Sequence, residues 1–91
     1  MLVLMATSCA TLGIMTIGSA QCRAARALVE LDQAALAEAA GVSRNVIVDF
    51  EKGRRTPTRN NLAAIQAALE AAGVIFVAEN GEGPGVRLRK R

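Results

Sequence analysis

The stretch "DQAALAEAAGVSRNVIVDF", residues Asp32 to Phe50, decides the fold. Asp32 is a good N-cap for "QAALAEAA", in which Leu36, Ala37 and Ala40 fall on one side of a helix about two turns long. Gly41 supplies a left-handed residue to end that helix, and two residues later Ser43 can cap the next one with its hydroxyl. In the following helix Ile47 and Phe50 point inward at three-residue spacing, and Gly53 supplies its stop. Two short helices joined by a tight glycine turn form a helix-turn-helix.

Outward from this pair, "SAQCRAARALVE" from Ser19 brings Cys22, Ala25, Leu28 and Val29 to one face, with Ser19 as the expected cap. After the basic loop "RRTPTRNN", Thr58 is placed to cap a helix whose buried stripe is Leu62, Ile65, Ala68, Leu69 and Ala72, closed by Gly73. The period then changes. "VIFVA" and "GVRL" are short β-prone runs separated by a glycine-rich segment, which predicts a β-hairpin.

A chain of 91 residues supports one small core. The composition is 52% hydrophobic with only 2% aromatic, so helices packed through small side chains are favoured over a sandwich or barrel. With no histidine and only Cys9 and Cys22, the chain lacks the residues of a structural zinc site and the histidine pairs of common hydrolases. No metal, cofactor or enzymatic activity is expected. The formal charge of +3 is modest, but it is clustered: Arg44, Lys52, Arg54, Arg55 and Arg59 face only Asp49 and Glu51, and the end of the chain adds Arg87, Arg89, Lys90 and Arg91.

Residues 1–18 carry no charge and form an N-terminal extension without an expected packed role. The apolar run has no basic residues ahead of it and is broken by Thr7, Ser8, Thr11, Gly13, Thr16 and Gly18, so it is not read as a signal peptide or membrane anchor. Met15 offers a later start that would omit Cys9. The helix-turn-helix domain with the first hairpin strand is expected over residues 19–78, and the hairpin turn, second strand and basic tail over 79–91.

The segment "AARALVELDQAALAEAAGVSRNVIVDFEKGRRTP" resembles the Xre family of transcriptional regulators, the Cro and phage-repressor type. The likeness rests on Arg26, Asp32-Gln33, Leu36-Ala37, Gly41-Val42-Ser43, Ile47, Glu51, Gly53 and Pro57, and residues 62–73 fit the helix that follows. It implies a mostly α, four-to-five-helix phage-repressor-like domain, here with a short C-terminal β-hairpin, acting in the cytoplasm on double-stranded DNA as a homodimer. A short variant of the family with a "GVRLR" ending resembles residues 15–91; residues 1–14 depart from it.

By that resemblance Arg44, Asn45 and Val46 read base edges from the first turn of the recognition helix. Gln33 and Ser43 hold phosphate, as do Lys52, Arg54 and Arg55 in the loop, with Arg59 and Asn60 as further candidates. Arg26 and Glu51 form a structural ion pair. Asp49, on the outward face one turn beyond Asn45, either accepts from cytosine or is a solvent-facing or Lys52-paired carboxylate. The chief alternative function is a protein-interaction module, such as an antitoxin or anti-activator, docking a partner protein through the "VIFVA" strand.

Overall fold

The computed structural model describes residues 17–79 and 81–89. The readings placed on Met1 to Ile14, Cys9 and Met15, and the tail residues Lys90 and Arg91, lie outside the described residues. Helix α1 spans Ser19–Val29, α2 Gln33–Ala40, α3 Arg44–Glu51 and α4 Arg59–Ala72. Strands β1, Val74–Val77, and β2, Gly85–Leu88, pair antiparallel with Val74 opposite Leu88 and Val77 opposite Gly85. The described residues are thus mostly helical, with four helices and a terminal hairpin.

Local chemistry sets most helix ends. Asp32 accepts from the Ala35 N–H at 2.7 Å, Ser43 from Val46 at 3.3 Å and Thr58 from Asn61 at 3.2 Å, so three helices begin at side-chain caps. Helix α1 begins differently from the expectation. Its cap position is Gly18 rather than Ser19, and Gln21 reaches back to accept the Gly18 N–H at 2.8 Å. A glutamine at the third helical position satisfies that donor without any side chain at the cap. Gly41 closes α2 at φ 72°, where a side chain would be strained, whereas α1 closes on the left-handed non-glycine Glu30 at φ 58°.

One core joins all six elements, with Cys22, Ala25, Leu36, Ile47, Ile65 and Leu69 fully enclosed and Phe50, Leu62, Val74 and Phe76 around them. Ile17 is only 2% exposed, so the packed domain starts inside the segment expected to be an unpacked extension. Two residues of the expected stripes are exposed, while Val29, Ala40 and Ala68 are partly covered. Leu28 is 39% exposed although Gln21, on the same side of α1 two turns earlier, is buried beneath the hairpin. Ala72 is exposed in the last turn of α4.

The hairpin is tied to the helices by polar bonds as well as by Val74 and Phe76. The Gln21 amide donates to the carbonyls of Gly85 at 3.0 Å and Val77 at 3.4 Å. Arg89, assigned to a basic tail, instead secures the carboxyl end of α4. Its N–H donates to Gly73 O at 2.6 Å and its guanidinium to Glu70 O at 2.8 Å, which satisfies terminal carbonyls and places a cation at the negative end of the helix dipole.

Candidate nucleic-acid interface

Helices α2 and α3 pack through Leu36, Ala37, Ile47 and Phe50 across the Gly41 turn, which turns the opposite side of α3 outward. Arg44 and Asn45 are exposed in its first turn. Val46 is only partly available, because it also packs against the core cluster. Ser43 is exposed beside them, its hydroxyl occupied as the cap of α3.

Beneath this surface Glu51 is 4% exposed and accepts from three side chains. Arg26 binds it in a fork, Nε to Oε2 at 2.6 Å and Nη2 to Oε1 at 2.7 Å. Gln33 Nε2 donates to Oε1 at 3.1 Å and the Cys22 thiol to Oε2 at 3.2 Å. Burial opposes ionisation of Glu51, but the hydrogen bonds from Arg26, Gln33 and Cys22 outweigh it and hold the carboxyl below its ordinary value near 4.5. Burial, reinforced by the Glu51 carboxylate, pushes the Cys22 thiol up to about 12, so it is a hydrogen-bond donor and not a nucleophile.

Gln33 extends the network outward: its Oε1 lies 3.5 Å from Arg44 Nη2. The side chain expected to hold phosphate is therefore engaged on both sides, linking Arg44 to the buried Glu51. Arg26, Asp32, Gln33, Ala34 and Arg44 line a polar depression of about 460 Å³ at the start of α2.

Sequence reading assigned no role at this site to Arg23 and passed over the part played by Cys22. Arg23 donates to the main-chain oxygen of Glu51 at the end of α3, and Cys22 meets its carboxylate. The signal lay in spacing: both stand three or four residues before Arg26 and so share its side of α1.

Asp49 does not pair with Lys52. Its carboxylate lies 3.7 Å from Arg54. The cause is the chain path after Gly53, since the Arg54 N–H donates to Asp49 O at 2.9 Å and turns the loop back along α3. Lys52 and Arg55 are exposed and form no ion pair with any described residue; Arg59 and Asn60 are exposed at the start of α4. Asn45, Asp49, Arg55, Thr56, Thr58 and Asn61 contribute to a second depression, of about 430 Å³, between α3 and this loop. Arg44 thus shares one depression with the Asp32 cap of α2, and Asn45 and Arg55 share the other with the Ser43 and Thr58 caps of α3 and α4.

No helix among the described residues is long and apolar enough to cross a membrane. No curated protein matches the chain. The family described as Helix-turn-helix matches residues 23–71, more than half of the 91-residue chain, and covers α2, α3 and the turn between them together with most of α1 and α4. With the capped helix pair, the glycine turn and the exposed first turn of α3 all inside that match, the chain belongs to the Cro and phage-repressor type of helix-turn-helix DNA-binding regulators, the Xre-like family.

Proposed function

We propose that this DNA-binding regulator is a sequence-specific repressor that binds an inverted repeat as a homodimer in the cytoplasm, its two α3 helices entering major grooves about one helical turn apart. The observation that carries the reading is the exposure of Arg44 and Asn45 in the first turn of a helix whose far end is pinned by buried Glu51. An arginine pairs with guanine, and an asparagine with adenine, through two hydrogen bonds each, worth about 1–3 kcal/mol of discrimination per pair. The half-covered Val46 offers a smaller apolar contact to a thymine methyl. Gln33, Ser43, Lys52, Arg55, Arg59 and Asn60 contact phosphates and supply salt-dependent affinity without reading sequence, and Arg54, paired with Asp49, is a further phosphate candidate.

The test is Arg44→Ala with Asn45→Ala, compared with the parent on a duplex enriched from a randomised library and on a scrambled duplex. The double variant is expected to keep its fold and some scrambled-duplex affinity while losing preference for the enriched one; preference that survives the change removes the two residues as readers. A second reading, docking of a protein partner on the hairpin, is favoured by Ile75, which is 38% exposed on the outward face of β1. Isolation of the protein with a stoichiometric protein partner that leaves DNA affinity unchanged would support it.

A further inference from the structure

The Asp49–Arg54 pair stands at the edge of the proposed reading surface, with its carboxylate on the wall of the depression that also holds Asn45. The Asp49 side chain is 37% exposed and that of Arg54 64%, so the cation is the freer partner. Two main-chain bonds, from the N–H groups of Arg54 and Arg55 to Asp49 O at 2.9 and 3.4 Å, keep the loop against the end of α3 whichever way the guanidinium points. Arg55, which lines the same depression, has no ion-pair partner among the described residues.

The two charged groups want different things from DNA. Arg54 is attracted to phosphate, and Asp49 is repelled by it. Releasing Arg54 leaves the Asp49 carboxylate, 37% exposed, without its counter-charge and open to a donor. Cytosine N4 and adenine N6 present that donor in the major groove, whereas guanine and the thymine oxygen present acceptors that face the carboxylate unfavourably.

Resting on the reading of α3 as the groove-entering helix, we propose that Arg54 is a conditional phosphate contact gated by Asp49: a donor base opposite Asp49 frees Arg54 to bind phosphate, and an acceptor base leaves it held. Asp49 is a positioning residue that converts the identity of one base into the presence of one backbone contact. It also lowers affinity for unselected DNA, by withholding a cation and by adding like charge near phosphate. An exposed pair limits the gate to about fivefold in affinity.

The experiment measures binding by fluorescence anisotropy over roughly 50 to 200 mM KCl. The proteins are the parent, Arg54→Ala, Asp49→Asn and the double variant, on the library-enriched duplex and a scrambled duplex; circular dichroism verifies folding. In the parent background Arg54→Ala is expected to weaken the enriched duplex about fivefold and reduce its salt slope by about 1. It changes the scrambled duplex less than about twofold with no change of slope. Asp49→Asn tightens scrambled-duplex binding, and in that background Arg54→Ala weakens both duplexes alike.

Equal loss of affinity and slope on both duplexes with Asp49 present overturns the gate. If the gate pattern holds but Arg44→Ala with Asn45→Ala keeps the preference, the gate stands and the reader assignment fails. Enrichment of no duplex overturns both.

Discussion

Replacing Arg26 by methionine isolates what the buried Glu51 costs the fold when its counter-charge is taken away. Glu51 is 4% exposed, and Arg26 supplies the bidentate contact at 2.6 and 2.7 Å. Cys22 and Gln33 remain as donors, neither carrying charge. Breaking a buried pair from one side costs about 3–5 kcal/mol, and the partial exposure of Arg26, 21% of its side chain, points to the lower end. A domain this size has roughly 4–9 kcal/mol in all, so Arg26→Met removes on the order of half. Urea unfolding with linear extrapolation is the assay, and the midpoint is expected to fall by about 2–3 M. Arg26→Met combined with Glu51→Leu should recover most of the loss, because no uncompensated charge remains.

Acid gives this prediction an opposite sign in the two proteins. In the parent the folded Glu51 carboxyl lies below its ordinary value near 4.5, so its stabilisation is full above that pH and is lost as pH falls through the folded value. In Arg26→Met, desolvation is left with weaker opposition and the carboxyl moves up. The penalty is then relieved as pH falls through the raised value, and the gap between the proteins narrows in acid. A double variant as unstable as Arg26→Met alone, or a gap that widens below pH 4.5, would refute the assignment of Glu51 as a buried brace held by Arg26.

Three further outcomes follow from the packing. Gln21→Leu leaves the Val77 and Gly85 carbonyls without that donor and is expected to cost about 1–3 kcal/mol, with hydrogen exchange accelerated first in the hairpin; uniform acceleration would argue against a local tie. Ala37→Leu overfills the contact between α2 and its neighbours, where Ala37 is 4% exposed, and should lower stability by about 1–3 kcal/mol in thermal melts; an unchanged melt would show room that the packing does not predict. Cys22, fully buried with its thiol pushed up to about 12, should resist iodoacetamide at neutral pH until urea unfolds the chain, and rapid native labelling would contradict its enclosure.

Much of the fold was legible because local chemistry marks it. Asp32, Ser43 and Thr58 cap helices through their own side chains, and Gly41 takes the left-handed conformation wherever the rest of the chain goes. Leu28 and Gln21 show the limit of periodicity. They share a side of α1, and only the reach of a hairpin from more than fifty residues away decides which is covered. Asp49 was similarly ambiguous, since the sequence left it reading a base, facing solvent or paired with Lys52. The turn after Gly53, a matter of three-dimensional path, selects Arg54. Fork geometry at Glu51 required the side chains themselves: a family resemblance named Arg26 as its partner, but Cys22, Gln33 and Arg23 converge on it through the packing of α1, α2 and α3.

The bond from Gln21 to Gly85 also defines what counts as one transferable piece of protein. The family match ends at residue 71, and a graft cut to that match would lack Ile17, Cys22, Val74 and Phe76 from its interior. Such a fragment keeps every proposed reader and loop cation yet exposes one side of α1 to water. Swapping recognition helices between regulators therefore calls for exchanging residues within α3 on this scaffold, with residues 17–89 moved as a single body whenever the whole domain is transplanted.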